Sequence, residues 1–145
     1  LIARNAWQKE LIWNRFSMDQ LGMSISQPDK VRRSSQTISV GNTGNWSTKN
    51  YLPMGCLKNK ETDSILFWQI EQNGSWYWEI SDQDGHMYLQ LSGPTEHQSH
   101  WWKNLKPGDT FASVPVSVGS ACGDVEEAAG ELTKYRRAIR RKNEE

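Results

Sequence analysis

The dipeptide Asn73-Gly74, which lies between two tryptophan-rich stretches, constrains the fold of this chain more than any other feature. Asn-Gly is the pair preferred in a two-residue type I′ hairpin turn, because both residues take positive φ there. The stretches SILFWQIE and SWYWEIS flank it, and HMYLQLS follows the turn residues DQDG. All three have the aromatic and β-branched content of strands. The sequence therefore predicts a three-stranded antiparallel meander over residues 64–92.

A two-residue turn at this point also fixes the register of the first hairpin, pairing Gln72 with Ser75. Paired residues share a face of a sheet. One face would then carry Phe67, Trp76, Trp78 and Ile80, and the other Leu66, Trp68, Ile70 and Tyr77. Because both faces are rich in large apolar groups, the sheet is expected to be covered on both sides, or covered on one and used for contact on the other.

The remaining pattern predicts a mainly β chain, an antiparallel β-sandwich with a C-terminal α-helix. Further strands are expected at residues 11–16, 36–40 and 110–118, the last at an edge or bulge because it contains Pro115. A helix is predicted over residues 126–142, where Leu132, Tyr135 and Ile139 form one apolar stripe. A length of 145 residues fits a single domain with one core.

The charge balance argues against two classes of partner. Seventeen Lys and Arg residues match 17 Asp and Glu residues, so no net field attracts nucleic acid or a membrane surface. The basic cluster Lys30, Arg32 and Arg33 and the basic end of the helix are interpreted as solvated surfaces. No apolar run reaches the ~20 residues of a membrane span. No signal peptide is visible and the two N-x-S sequons are weak signals, so the compartment, cytoplasmic or secreted, stays open.

The loop GNTGNWSTKNYLPMG, residues 41–55, is the main candidate for binding. Four of its residues tolerate positive φ and predict an irregular, tightly turning segment: Gly41, Asn42, Gly44 and Asn45. The loop also carries Trp46, Lys49, Asn50 and Tyr51. A sugar ring packs its C–H face on an aromatic ring and bonds its hydroxyls to fixed donors and acceptors. The alternative is that Trp46 simply fills the core.

No catalytic carboxylate pair is predicted. Retaining glycosidases need two carboxyl groups about 5 Å apart, and inverting ones need about 6.5–9.5 Å. The predicted register places Glu71 and Glu79 on opposite faces, and turn chemistry accounts for Asp82 and Asp84.

No metal site and no cofactor are expected either. His97, Ser99 and His100 lie close together beside Glu96, but no third and fourth ligand is evident. Cys56 and Cys122 lack metal-ligand spacing. They could form a disulfide, although two free buried thiols are the favoured interpretation.

A second aromatic pair lies in the polar stretch 93–109, a predicted loop that ends in a Pro-Gly turn. Trp101-Trp102-Lys103 is a candidate for sugar stacking or for contact with another domain. Adjacent side chains point apart, so one ring is expected in the core and the other at the surface.

Five ordered segments resemble one enzyme family. They are GNTGNWSTKNYLPMG, FWQIEQNGSWYWEISD, MYLQLSGPTE, HWWKNLKPGDTF and ELTKYRRAIRR. In this order they resemble the N-terminal region of the larger α-galactosidases of glycoside hydrolase family 36. That family has an N-terminal β-supersandwich before a (β/α)₈ barrel. The resemblance implies that residues 1–122 form part of the sandwich domain and 123–145 a linker helix leading to the barrel. Both ends of the chain look cut, so a fragment of a longer polypeptide is expected.

The resemblance also implies a role without catalysis in this chain. The family's catalytic aspartates lie on barrel strands, and neither of their motifs is present here. The parent enzyme would hydrolyse terminal α-galactosides of the melibiose or raffinose type and would be a homo-oligomer. An aromatic residue of the sandwich domain would contact galactose, a position best matched by Trp13, with Trp7 as competitor. The 41–55 loop would face the barrel or a neighbouring subunit through Trp46, Lys49 and Asn50.

Two other functions remain open. A stand-alone carbohydrate-binding module would use Trp46 and the Trp101-Trp102 pair as its platform. A purely structural interaction domain would instead bury its aromatic residues.

Overall fold

A computed structural model of the protein describes residues 1–6, 9–23, 36–83 and 86–140. Within these ranges the chain is mainly β, with eight strands, a 3₁₀ turn and two helices. The strands are β1 (Ile2–Ala6), β2 (Lys9–Asn14), β3 (Thr37–Asn42), β4 (Tyr51–Asn59), β5 (Ser64–Ile70), β6 (Trp76–Gln83), β7 (His86–Ser92) and β8 (Val116–Cys122). The helices are α1 (Glu96–Ser99) and α2 (Val125–Ile139), and the 3₁₀ turn is Asp19–Leu21.

The strands form two antiparallel sheets. The large sheet has the order β2-β1-β4-β5-β8, and the small sheet has the order β3-β6-β7. The chain changes sheet after β2, β3, β5 and β7. The predicted fold class, an antiparallel β-sandwich with a C-terminal helix, is confirmed.

The predicted meander is wrong at its first hairpin. Strands β5 and β6 do not pair: β5 pairs with β4 and β8, whereas β6 pairs with β3 and β7. Asn73-Gly74 is therefore a crossover between sheets, and neither residue has the positive φ of a type I′ turn. The second hairpin is confirmed, with Gln83 opposite His86. Its turn residues Asp84 and Gly85 lie outside the described residues.

The crossover follows from where the large side chains must go. In the hairpin register, Trp68 and Ile70 would lie on the face opposite to Trp76 and Trp78. With the two strands in different sheets, all of these side chains point into the space between the sheets. Each strand also keeps a hydrogen-bonded neighbour on both sides. The burial of apolar area therefore outweighs the local preference of Asn-Gly for a tight turn.

The core between the sheets is built from tryptophan. Trp68 and Trp78 meet edge to face, with ring centroids 5.2 Å apart and planes at 78°. The indole N–H of Trp76 donates a 2.7 Å hydrogen bond to the carbonyl oxygen of Ser47, which fixes the loop before β4. The buried members of this core are Met23, Val40, Trp68, Ile70, Trp76, Trp78 and Ile80.

A second, smaller core lies between the large sheet and α2. Cys56, Ile65 and Ala128 are buried there, with Trp13 and Phe67 packed against them. The helix begins with a capping box. The Asp124 side chain accepts from Glu126 N at 2.9 Å, and Glu127 Oε2 accepts from Asp124 N at 2.8 Å. These bonds satisfy amide groups that a helix start leaves open.

Several predicted boundaries shift. The strand expected at 110–118 begins only after Pro115, as β8, because proline has no N–H group to donate to the ladder. It lies at the edge of the large sheet, as predicted. The helix expected to reach 142 ends at Ile139, and Arg140 is extended. The strands expected at 11–16 and 36–40 are found as β2 and β3. The basic cluster Lys30, Arg32 and Arg33 lies outside the described residues.

Central strand β5 places an aromatic ring over a glycine on each neighbouring strand. Gly55 of β4 pairs with Trp68, and a Cβ atom there would lie 2.5 Å from Trp68 Cζ2. Gly119 of β8 pairs with Phe67, and a Cβ atom there would lie 2.4 Å from Phe67 Cζ. The two rings cover opposite faces of the sheet, so each glycine makes room for one of the two cores.

We expect Gly55→Ala and Gly119→Ala each to lower the free energy of unfolding by about 1–3 kcal/mol, because the added methyl group would overlap the ring that β5 places over each glycine. Urea denaturation followed by tryptophan fluorescence measures the change. The matched control is Gly130→Ala in α2, where a Cβ atom meets nothing within 4 Å. That substitution is expected to stabilise by up to about 1 kcal/mol through helix propensity. Equal effects of the three substitutions would contradict the packing argument.

Candidate functional site

The loop between β3 and β4 is fixed at its base and open at its tip. Asn42 Nδ2 donates to Gly44 O at 2.8 Å, and Lys49 N donates to Trp46 O at 3.2 Å. From β1, Asn5 Nδ2 donates to Thr48 O at 3.0 Å and Asn5 N donates to Asn50 O at 2.9 Å. The loop is therefore tied to both sheets, through Trp76 in the small sheet and Asn5 in the large one.

Three of the predicted binding residues lie in this loop and are exposed. Trp46 is 60% exposed, and Lys49 and Asn50 are exposed beside it. Trp46 therefore does not fill the core. The irregular segment is shorter than the predicted 41–55, because Gly41 and Asn42 end β3 and residues 51–55 belong to β4. None of Gly41, Asn42, Gly44 and Asn45 has a positive φ. Hydrogen bonds from neighbouring side chains, rather than left-handed backbone, hold the turn.

The fourth predicted residue lies elsewhere. Trp13 is half-buried on β2 and packs against the core beneath α2, with Cys56, Ile65 and Ala128. The structure does not bring it together with the loop tip. Its competitor, Trp7, lies outside the described residues.

The stretch between β7 and β8 forms a projecting arm, residues 94–113, that is closed at its base. A Cβ atom at Gly93 would lie 2.3 Å from Val114 Cγ2, so the two ends of the arm touch. The predicted Pro-Gly turn is present, with Asp109 N donating to Lys106 O at 2.9 Å. Long loops of this kind are often functional.

The expectation that one tryptophan of the arm is buried is wrong. Trp101 is 40% exposed and Trp102 is 64% exposed. Trp101 packs on Phe111 with ring centroids 5.6 Å apart, and Lys103 Nζ lies 5.3 Å from the centroid of the Phe111 ring. The arm thus has its own small cluster of side chains and presents Trp102 to solvent.

A groove that the sequence did not indicate lies at one end of the large sheet. It is wide open to solvent and has a volume of about 630 Å³ between the β1–β2 hairpin, the 43–50 loop, the crossover after β5 and the end of α2. Its polar lining includes Asn5, Thr48, Gln69, Glu71, Asn73 and Arg136. Its apolar lining includes Leu11, Leu52, Pro53, Met54 and Ile139. None of the four predicted binding residues lines it.

Glu71 is held in place by two hydroxyl groups. Its Oε1 accepts from the Ser117 hydroxyl of β8 and from the Tyr135 phenol of α2, and these two oxygens are 2.7 Å apart. The hydrogen bonds from Ser117 and then Tyr135 lower the pKa of the Glu71 carboxyl below its ordinary value. The carboxylate therefore stays charged to a lower pH than an unperturbed glutamate does.

Sequence reasoning missed this cluster because it depends on strand order. Ser117 lies opposite Gln69 only because β8 pairs with β5, and α2 then places Tyr135 and Arg136 over the same end of the sheet. The apolar stripe of the helix did contain Tyr135, but its partners were not readable from spacing.

The second strand carboxylate considered as a catalytic group, Glu79, lies apart from Glu71. Glu79 accepts hydrogen bonds from the phenols of Tyr77 and Tyr88 on the outer face of the small sheet, away from Glu71 on the α2 side of the large sheet. Burial and the bond to Glu79 raise the pKa of Tyr77. Among the described residues no group of three His, Cys, Asp or Glu side chains is arranged to hold a metal ion.

The two cysteines are free, and their environments differ. Cys56 is buried, 2% exposed, whereas Cys122 at the end of β8 is exposed. The expectation of two buried thiols is therefore wrong for Cys122, which lies at the end of an edge strand. Burial raises the pKa of the Cys56 thiol.

In comparisons with known proteins, no family model, no curated protein and no solved structure matches this chain. Within the described part of the chain, neither helix has the length and apolar character needed to cross a membrane.

We expect Glu71 to contribute stability that depends on pH. A carboxyl whose pKa is lowered by folding stabilises the folded state fully above its ordinary value of 4.5, and this contribution is lost as the pH falls through the lowered pKa. Urea unfolding from about pH 6 to about pH 3 should show the difference between wild type and Glu71→Gln shrinking with acidity. Ser117→Ala should bring the titration of Glu71 back toward its ordinary value. A difference that is constant over the whole range would contradict this assignment.

We expect the two thiols to react at different rates. A disulfide reagent should modify Cys122 rapidly and Cys56 only on unfolding, because Cys56 is buried and its pKa is raised. The release of the reagent's chromophore measures both phases. Cys122→Ser should remove the fast phase, and a fast phase that survives this change would mean that Cys56 is accessible.

Proposed function

We propose that this chain is a non-catalytic β-sandwich domain of a retaining α-galactosidase of glycoside hydrolase family 36. In the parent enzyme, a barrel aspartate would attack the anomeric carbon while a second acid protonates the leaving oxygen and then activates water. The sandwich domain would help to shape the pocket for terminal α-galactosides of the melibiose or raffinose type. It would also contribute contacts within a homo-oligomer.

The observation that carries this proposal is that helix α2 packs on the large sheet of the sandwich. Helix α2 contains most of the segment ELTKYRRAIRR and follows β8 directly. It packs its residue Ala128 on Cys56 and Ile65 of the large sheet. An antiparallel sandwich followed by a helix docked on that sandwich is the arrangement that the five-segment resemblance implies.

The exposed aromatics support a contact role for two loops. Trp46 and Trp102 are the most exposed tryptophans of the described residues, and each lies in a segment that contributes to the resemblance. Large apolar side chains held at a surface by ordered loops are typical of binding surfaces. In the parent enzyme they would meet the barrel, a neighbouring subunit or the substrate.

The same observation favours a second candidate, a stand-alone carbohydrate-binding module. Such a module would bind sugars through Trp46 or Trp102 without any catalytic domain. A purely structural domain with buried aromatics is less well supported, because Trp46, Trp101 and Trp102 are exposed.

The test is hydrolysis of p-nitrophenyl α-galactoside by two proteins, the chain alone and the chain joined after residue 145 to a family 36 barrel. We expect no turnover by the first and turnover by the second. In the joined protein, Trp46→Ala is expected to raise KM by roughly two- to tenfold through the loss of aromatic contact.

Trp102→Ala is measured beside it, because it removes an equally exposed ring from the second contact loop and shows which of the two loops affects KM. Sugar binding by the chain alone, abolished by either substitution, would favour the stand-alone module instead. Turnover by the chain alone, or a joined protein that remains inactive, would contradict the proposal.

A further inference from the structure

Hydrogen bonds of Asn5 hold one wall of the groove in place. Asn5 connects three segments: its backbone N–H and Nδ2 bond the 43–50 loop, and its Oδ1 accepts from Leu11 N at 2.9 Å. Leu11 takes φ of 55°, a left-handed conformation that costs energy for a residue other than glycine. Its side chain is 54% exposed and lines the groove. The strained hairpin is therefore held by Asn5 in a position that leaves an apolar side chain facing the open volume.

Two opposite charges are fixed in the groove at positions that leave bonding capacity. Glu71 uses Oε1 for Ser117 and Tyr135, and no hydrogen bond from the described residues goes to its Oε2. Arg136 donates through Nε and Nη2 to Gln69 Oε1, with the Nε bond at 2.7 Å, and its Nη1 has no such partner among the described residues. Two residues that line the same volume, Glu71 and Arg136, therefore each keep a polar atom without a hydrogen bond from the described residues.

This combination selects for an uncharged ligand with several hydroxyl groups. A carboxylate accepts hydroxyl hydrogens and a guanidinium donates to hydroxyl oxygens, so the pair can hold neighbouring hydroxyls of one molecule. The amides of Asn5, Gln69 and Asn73 both donate and accept. A purely apolar ligand would leave both charges desolvated, and a ligand with a single charge would be attracted by one member of the pair and repelled by the other.

The size and the apolar lining fit the same class of ligand. A volume of about 630 Å³ lies within the range of pockets for small molecules. Leu52, Pro53 and Met54 line the groove beside the polar groups. A sugar offers the matching pattern, with hydroxyl groups at its edge and C–H groups on its faces.

We propose that this groove is a binding site for a short oligosaccharide, held by the Glu71 carboxylate and the Arg136 guanidinium. The polyhydroxyl class of ligand is inferred from the groove itself, and the choice of a galactoside rests on the proposed function. Ser47 and Thr48 of the 43–50 loop line the groove, whereas the exposed Trp46, Lys49 and Asn50 of that loop do not.

The experiment is a titration of the ¹⁵N-labelled chain with raffinose, followed by NMR. The side-chain amide signals of Asn5, Gln69, Gln72 and Asn73 report directly on the groove. We expect them to shift with one common dissociation constant. Glu71→Gln and Arg136→Met should each weaken binding by roughly tenfold or more, because each removes a hydrogen bond to a charged group.

Glu79→Gln is the matched control, because Glu79 is also a carboxylate bonded by tyrosine on a sandwich face, but far from the groove. It should leave the dissociation constant unchanged. Glu71→Gln retains an oxygen acceptor for Ser117 and Tyr135, and its amide spectrum verifies that the variant is folded.

Two results would overturn the proposal. One is the absence of any shift of the groove amides at saturating raffinose. The other is a set of shifts confined to the indole signals of Trp46 or Trp102. Hydrolysis by the barrel-joined protein reports separately on the proposed function. Activity without groove binding would reject only the groove site, and groove binding in an inactive joined protein would reject only the α-galactosidase assignment.

Discussion

The contact between Trp68 and Trp78 is the interaction on which the sandwich depends. The two indoles come from the central strands of different sheets and meet edge to face at 5.2 Å. Each ring buries a large apolar area, and the edge-to-face geometry adds about 0.5–1.5 kcal/mol beyond that burial. A two-residue hairpin turn between the two strands would place Trp68 and Trp78 on opposite faces of one sheet, whereas separate sheets bring both rings into one interior. The crossover at Asn73-Gly74 is the connection that this contact requires.

Strand β5 places an aromatic ring against a neighbouring strand on each of its two faces. Trp68 covers Gly55 on the inner face, and Phe67 covers Gly119 on the face beneath α2. An aromatic ring over a glycine sets the register of its neighbour, since a shift by one residue would place a side chain under the ring. The register of β8 in turn places Ser117 beside Glu71, and the packing of α2 adds Tyr135. The charged end of the groove is thus a consequence of how β5 packs.

The sequence predicted those features that depend on neighbours in the chain. The extent of β5, β6 and β7, the hairpin between β6 and β7, and the existence of α2 follow from local pattern and turn residues. Features that depend on distant partners were not predicted. The pattern of β5 and β6 is equally compatible with a hairpin and with a crossover, because period-two alternation does not state which sheet a strand joins. The exposure of Cys122 and of Trp101 has the same origin, since both depend on what the fold places over them.

The difference between local and distant contacts also explains which candidate site was predicted from the sequence and which was not. Trp46, Lys49 and Asn50 were found because a loop rich in glycine and asparagine that also carries an aromatic and a cation is visible in the sequence. The groove was not found because its polar groups come from β1, β5 and α2, which are distant in the chain. The strained backbone at Leu11 lies at its rim, and Asn5 holds that strain in place by bonding the hairpin and the loop together. Left-handed backbone at a residue other than glycine persists only where surrounding bonds hold it, and such positions cluster at ligand sites. The strain at Leu11 therefore lies where the proposed binding site needs a fixed apolar side chain at the rim of the groove.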